Sequence, residues 1–431
     1  MEKMITRKKR IVVIGGGFAG LNFVKHVDLK QYDVTLIDRN NFHCFPPLFY
    51  QIASSGLDPA SISFPFRREM RKGKVKGARF HLGEVKRIDV ARKEVQTQYE
   101  TLRYDRLIIA AGTTNNFFGN PDLVKYVYTI KSVSEAMRTR DEILDRLERA
   151  SLTHDAELRR RLLSFVVVGG GPSGVEVAGA LGEMKRDIIK REYPSIGVDE
   201  VSITLIEGSG KLLGAMSPLS SAKALKYLGE LMVDVRLGHV MKEYADDQVT
   251  LEDGTRMSAG MVIWTAGITG VTFDIAGATP TLARGNRLEV DRQSRVKGLP
   301  DVYAVGDIAY MATEAFPHGH PQLAQVAIQQ ARRLADNLNR DRWDEPFVYN
   351  DKGSMATVGR NLAVADLKHG HLYGWPAWLA WMFIHLISIL GMRNKANVLL
   401  NWTWAYWTYN TSLRLLVHTA RYPLRSRWGE R

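Results

Sequence analysis

Cysteine is almost absent. One of the 431 residues is cysteine, Cys44, which excludes an internal disulfide and any metal site built on several thiolates; no metal is expected. A cleavable leader is not expected either. The start, MEKMITRKKR, is basic, but a core strand follows where an apolar segment would have to stand, so the body of the chain is expected on the cytoplasmic side. Acidic residues are in deficit, 46 against 59 Lys and Arg, for a net charge of +13. Such an excess points to an anionic partner surface. No nucleic-acid-binding motif accompanies it, and the basic residues gather near the C-terminal end, so phospholipid is expected and nucleic acid is not. Apolar and charged content are those of a folded chain, and the length suffices for two or three domains.

What is present is glycine in a fixed pattern. The run IVVI (residues 11–14) reads as a buried strand. Gly15, Gly17 and Gly20 follow at G-x-G-x-x-G spacing, and then a helical stretch, LNFVKHV. The first glycine permits a tight turn and the second lets backbone approach a pyrophosphate. The third lets the helix pack close to the strand, with its N–H groups aimed at the anion. The next strand, VTLIDR, ends in Asp38, whose carboxylate can accept the hydroxyls of an adenosine ribose. The spacing alone is weak; strand, helix and terminal acid together make it a dinucleotide site. The unit then recurs: FVVVGGGPSGVEVAGAL carries Gly169, Gly171 and Gly174, and VSITLIEGSG ends in Glu207. A carboxylate there bonds a free 2′-hydroxyl and repels a 2′-phosphate, and Lys211 is the nearest cation, so NADH is favoured over NADPH.

Between and after these units the chain is less regular. Residues 40–69 are rich in Pro, Phe and Ser and read as an excursion over bound cofactor, with a short helical middle. ARFHLGEVKRIDVARKEVQTQ alternates like a small antiparallel meander, and YDRLIIAAGTT is a strand ending in small residues. Residues 129–161 read as an amphipathic, solvated helix. VYAVGD, after the second unit, reads as a strand by which the chain returns to finish the first domain, placing Asp307 at a flavin's ribityl chain or ribose. The pattern predicts a helix over residues 321–338, with Gln325 and Gln329 on one face. Its N-terminal partial charge would stabilise a reduced, anionic ring.

The tail differs in kind. WPAWLAWMFIHLISILG is apolar on nearly every face, MRNKAN breaks it, and an aromatic helix follows; six of the nine tryptophans lie between Trp375 and Trp407. Indole prefers the headgroup layer. Two helices lying in one leaflet are expected, with Arg393, Lys395, Arg414, Arg421, Arg425 and Arg427 meeting anionic lipid. A spanning helix and a soluble dimer interface are the alternatives.

Two dinucleotide folds, the first resumed after the second, resemble the two-dinucleotide-binding-domain flavoproteins. Within them FPPLFYQIASSGL, GGGPSGVE, AQVAIQ and the tail around RNK and LLNWTWAY resemble type II NADH dehydrogenases. The resemblance implies an α/β fold of two Rossmann-like domains plus a C-terminal amphipathic helical membrane anchor. FAD would take residues 1–118 and 281–345, NADH residues 119–280, and the membrane residues 346–431. It assigns Gly15, Gly17, Phe18, Ala19, Gly20, Asp38, Val85 (by its backbone, to adenine), Ala111, Gly112, Gly306, Asp307 and Ala324 to FAD. Gly169, Gly171, Pro172, Ser173, Gly174, Glu207 and Gly267 go to NADH. Gln325 and Gln329 would bond a quinone carbonyl, and Glu176 would relay or gate a proton. The implied activity is hydride transfer from NADH to FAD and two electrons onward to quinone without proton pumping, in a peripheral protein on the cytoplasmic membrane face, as a homodimer. Departures from the family pattern are Cys44 at a usually apolar position and FPPLFYQ for the commoner PLLYQ. With no second cysteine in the excursion, no redox disulfide can intervene. The alternative is a soluble NAD(P)H-dependent reductase of a ferredoxin or rubredoxin; a redox-sensing flavoprotein is a third reading.

Overall fold

A computed structural model describes residues 7–120, 122–368, 370–408 and 413–416. They form two compact units. One holds the chain up to Cys44, Ser63–Asn116 and Ile268–Lys352; the other holds Phe45–Ile62, Phe117–Gly267 and the chain from Gly353. In chain order the elements that matter are β1 (Lys9–Ile14), α1 (Phe18–His26), β2 (Tyr32–Asp38), α2 (Phe49–Ala53), β3 (Arg79–Leu82), β4 (Arg106–Ile109) and α3 (Val133–Leu152). There follow β5 (Ser164–Val168), α4 (Pro172–Glu183), β6 (Ser202–Glu207), β7 (Asp234–Leu237), β8 (Met261–Trp264), β9 (Val302–Ala304) and α5 (Ala324–Arg340). The tail is β10 (Ser354–Gly359), β11 (Leu362–Leu367), β12 (Gly370–Tyr373), α6 (Trp375–Ser388) and α7 (Met392–Thr408).

The first unit is built on a parallel sheet in the order β9–β4–β1–β2–β3. Val13 pairs with Leu36 on one side and Ile108 on the other, and Tyr303 with Ile108. Its central strands are buried on both faces, so they read as unbroken Val/Ile/Leu runs. The return predicted from VYAV is therefore present as β9. The expected meander is only partly so: Arg79–Leu82 joins the main sheet in parallel beside β2, and only Val85–Asp89, Glu94–Thr97 and Thr101–Arg103 run antiparallel. Thr113–Asn115 pairs antiparallel with Ile268–Gly270. This pairing keeps Ile268 onward in the first unit, so the inserted stretch ends at Gly267 and not at residue 280.

The second unit repeats the design in a parallel sheet, β7–β6–β5–β8. The tail contributes an antiparallel sheet, β10–β11–β12, that belongs to this unit instead of standing alone. The reason is a glycine. A Cβ on Gly179 of α4 would stand 1.6 Å from the carbonyl oxygen of Val358, so β10 lies directly against the helix backbone. Small residues repeat the device one layer out, where Ala377 of α6 packs on Ala363 and Ala365 of β11.

Two helix boundaries differ from the pattern. Residues 321–323 lie outside the helix, where the Leu323 N–H donates to the Pro321 carbonyl at 3.0 Å, and α5 begins at Ala324; the Gln322 amide donates to the carbonyl of Asp307 at 3.1 Å. MRNKAN is the first turn of α7, not a break. The chain turns at residues 389–391, with Gly391 at φ +84°. Gly179→Ala is expected to destabilise the protein by about 1–3 kcal/mol, as overpacking of a backbone contact does; thermal unfolding of the detergent-purified variant measures it.

Candidate active site

In the first unit three loops gather at the C-terminal ends of β1, β4 and β9. Gly15 has φ +97°, and a Cβ there would meet the Ala110 carbonyl oxygen at 2.5 Å. A Cβ on Gly20 would stand 1.8 Å from the Gly15 oxygen, whereas nothing lies within 4 Å of the same point on Gly17. The outer glycines close the turn and the middle one leaves it open, the shape a pyrophosphate requires. Asp38 braces this turn: Oδ2 accepts from the Gly16 N–H at 2.7 Å and Oδ1 from the Asn40 N–H at 2.8 Å. Burial raises its carboxyl pKa, and those two N–H groups pull it back. Ala111 and Gly112 (φ +68°) follow β4. Val85 opens its strand opposite Thr97.

Gly306, at φ +79°, sits between two helices: a Cβ would be 3.0 Å from the Ala19 Cβ and 3.3 Å from that of Ala327. Its N–H donates to the buried Gln330 Oε1 at 2.8 Å. Sequence reasoning passed over Gln330; the only local signal was a third glutamine, on the buried face of α5. The N-termini of α1 and α5, neither with a side-chain cap, thus stand beside Phe18–Ala19 and Gly306–Asp307. A cradle that excludes Cβ atoms, uncapped helix N-termini and an acid at the end of β2 fit a flavin dinucleotide. Cys44 nearby is no redox centre: burial, with the negative charge of Asp38, pushes its thiol up to about 12. Gln325 and Gln329 face the segment that ends this unit. The Lys352 N–H donates to Gln325 Oε1 at 3.2 Å. Gln329 takes both groups of Asn350, accepting its N–H at 2.9 Å and donating to its carbonyl at 3.0 Å.

In the second unit Gly169 (φ +109°) and Gly174 are equally tight, with a Cβ on Gly174 1.8 Å from the Gly169 oxygen, and Gly171 is open. Pro172 and Ser173 begin α4. Glu207 does what Asp38 does, taking the Gly170 N–H at 2.6 Å and the Ser209 N–H at 2.7 Å. Gly267 (φ +81°) faces the ring of Phe118, which is 67% exposed.

Glu176 is the fifth residue of α4, so it belongs to the second turn and not to the helix opening. It is 8% exposed. Burial raises its pKa well above the carboxylate range, opposed by a hydrogen bond from the Thr357 backbone N–H. Nearby α2 supplies a chain that the sequence did not reveal: Trp402 Nε1 donates to Gln51 Oε1 at 2.8 Å, and Gln51 Nε2 donates to the Tyr50 hydroxyl at 2.9 Å.

The outward faces of α6 and α7 are apolar, with Phe383, Ile387, Met392, Leu400, Trp404 and Trp407 exposed. Their polar residues turn inward on their own helices. His385 Nδ1 lies 2.7 Å from the Trp381 carbonyl, and Ser388 donates to that of Ile384 at 2.6 Å. Burial lowers the His385 pKa to about 4, which keeps it neutral. Lys395 donates to the Ile387 carbonyl at 2.6 Å, closing the end of α6. Arg414 pairs with Glu192, so it does not wait for lipid. Arg421, Arg425 and Arg427 lie outside the described residues. Among the described residues no helix is long and apolar enough to cross a membrane.

Two glycine cradles, each closed by a carboxylate that grips its own turn, define an oxidoreductase with two dinucleotide sites. The chain matches the pyridine nucleotide-disulphide oxidoreductase family over residues 9–331 and the NDH2 C-terminal domain over residues 352–407. It is 34% identical over 420 residues to the type II NADH:quinone oxidoreductase Ndh of Mycobacterium tuberculosis, covering 92% of this chain and 88% of that one. It is 33% identical over 418 residues to NdhA of the same organism, covering 92% and 86%. The fold is shared with NDH2 from Plasmodium falciparum, solved in complex with NADH, at a TM-score of 0.88 and 24% identity over 96% of this chain and 100% of that one. The chain belongs to the type II NADH:quinone oxidoreductases.

Gly20→Ala is expected to yield folded protein that has lost most of its flavin, since the added methyl occupies the Gly15 carbonyl's place. The visible absorbance of the purified variant checks this.

Proposed function

We propose that the protein lies as a peripheral homodimer on the cytoplasmic face of the cell membrane and reduces quinone there with electrons from NADH, without pumping protons. The activity itself is that of its family, NADH:quinone oxidoreductase with FAD. The observation that carries the reading is the pair of matched cradles, one per unit, each with an acid that accepts an N–H of its own glycine turn. The apolar faces of α6 and α7 suit an interface bathed in anionic headgroups, because so much exposed Trp, Phe and Leu is costly in water. The match of the tail to the NDH2 C-terminal domain favours quinone over a small electron-carrier protein as acceptor.

FAD, when bound, supplies the redox chemistry, accepting hydride from NADH and releasing two electrons to quinone. The chain contributes position and protons. Gly15, Gly17, Phe18, Ala19, Gly20, Asp38, Val85, Ala111, Gly112, Gly306, Asp307 and Ala324 would hold it. Gly169, Gly171, Pro172, Ser173, Gly174, Glu207 and Gly267 would hold NADH. Gln325 and Gln329 anchor the backbone of Asn350 and Lys352, and through it shape the quinone entrance. Glu176 is kept protonated by burial and donates to a quinone oxygen.

Anaerobic mixing tests the two halves separately. NADH should bleach the flavin and a short-chain quinone should restore it at the steady-state rate; bleaching without recovery removes the quinone site. Glu176→Gln is expected to slow recovery ~100-fold, the lower range for loss of a general acid, with bleaching intact. In the wild type recovery should slow as pH rises through the elevated Glu176 pKa, because only the protonated acid donates; a flat pH profile of recovery counts against it. Glu207→Gln is expected to narrow the NADH-over-NADPH ratio of kcat/KM about tenfold, ~1.4 kcal/mol, measured with both cofactors side by side.

A further inference from the structure

Overall, NADH + H⁺ + quinone gives NAD⁺ + quinol. The hydride carries two electrons and one proton, so the second proton of the quinol must come from solvent. Glu176 is buried and needs resupply. Seven residues on, close to two helical turns and ~10.5 Å along the axis, α4 ends in Glu183, which is only half-buried. Both carboxyls lie on the seam with β10. The Thr357 N–H of β10 donates to Glu176, and the N–H of Arg360, the residue after β10, donates to Glu183. Between them Gly179 lets strand and helix backbones touch. The two acids are thus held in register along one line, from interior to surface. The helix changes character directly after Glu183, continuing as a π-helix over Met184–Ile189, a rare form that clusters at functional sites.

Tyr50 of α2 completes the line. It sits on α2, which packs against α4, the helix that carries both acids; burial, first of all, raises its hydroxyl pKa, and the hydrogen bond from Gln51 opposes this. It accepts from Gln51, which is fixed in turn by Trp402 of α7. We propose that Glu183 and Tyr50 form the proton inlet of this enzyme: Glu183 takes a proton from solvent, and Tyr50 gives its own proton to the Glu176 carboxylate as it receives one from the Glu183 side. The inlet rests on the reading of Glu176 as the quinone's proton donor.

Glu183 is tuned for such a task. Burial raises its pKa to about 7; the Arg360 N–H and the Arg186 and Arg360 charges oppose this, and Asp187 adds to it. A group half-protonated near neutrality both loads and unloads. The Arg360 guanidinium is drawn away, lying 4.0 Å over the Tyr406 ring of α7 and donating to the Tyr406 carbonyl. That leaves Glu183 bound to the Arg360 backbone rather than locked in an ion pair.

Glu183→Gln and Tyr50→Phe in the full holoenzyme test the inlet. Each is expected to lower kcat for a short-chain quinone about tenfold or more, with KM and NADH-driven bleaching unchanged, and Glu183→Asp to recover most of it. The deficit of Glu183→Gln should be smaller in buffers of low pH, where direct protonation of the site competes. In infrared spectra a protonated carboxyl band that titrates at about pH 7 should be present in the wild type and lost in Glu183→Gln. A wild-type kcat in either variant, a loss carried by KM or flavin content, or an infrared band unchanged by the substitution overturns the inlet. Glu176→Gln separates the two readings. If it is slow while Glu183→Gln is normal, the inlet alone fails; if it too is normal, the role of Glu176 fails.

Discussion

Backbone cannot meet backbone where a side chain stands between, and this protein places glycine wherever they must meet. Gly20 on Gly15, Gly174 on Gly169 and Gly179 on Val358 are instances of one device. In the first two it closes a turn around an anion. In the third it brings the tail sheet onto α4, so that N–H groups of the C-terminal strand reach carboxyls on a helix of the nucleotide fold. Without that contact Glu176 and Glu183 would be solvated, ordinary acids. Their elevated pKa values follow from the seam, and the seam from the absence of a methyl group.

Much of this was legible in the chain because it is local. A strand, three glycines, a helix and a terminal acid span some thirty residues, and each acid then proves to grip the turn at the start of its own unit. The return of VYAV was legible because a short apolar strand closed by Gly-Asp needs a sheet to join. What could not be read depends on partners far apart: Gln330 with Gly306, Trp402 with Gln51, Arg360 with Glu183. No periodicity announces such pairs. The misplaced boundaries are the same failure at close range. Pro321 reads as a helix start, but residues 321–323 lie outside the helix, with the Gln322 side chain bonded to the Asp307 carbonyl. MRNKAN reads as a break because it is polar, but the break is made by Gly391.

The charges of the tail show how composition misleads and then informs. The basic excess suggested a row of lysines and arginines reaching for lipid. Among those described, Arg414 is paired with Glu192 and Lys395 caps a helix, while Arg393 is exposed. What α6 and α7 present is mainly apolar and aromatic surface, so burial of indole and alkyl groups, more than ion pairing, is what that surface offers to whatever covers it.

The pairing of Thr113–Asn115 with Ile268–Gly270 bears on how such a chain is assembled. The polypeptide leaves the first unit and comes back to it at adjacent points. Closing a long loop grows costly only with the logarithm of its length, and a segment whose two ends are paired side by side keeps that cost small. The host sheet can therefore wait for β9 without a long, slack loop to gather in. Lengthening or replacing what lies between those two strands need not disturb the sheet on either side of them.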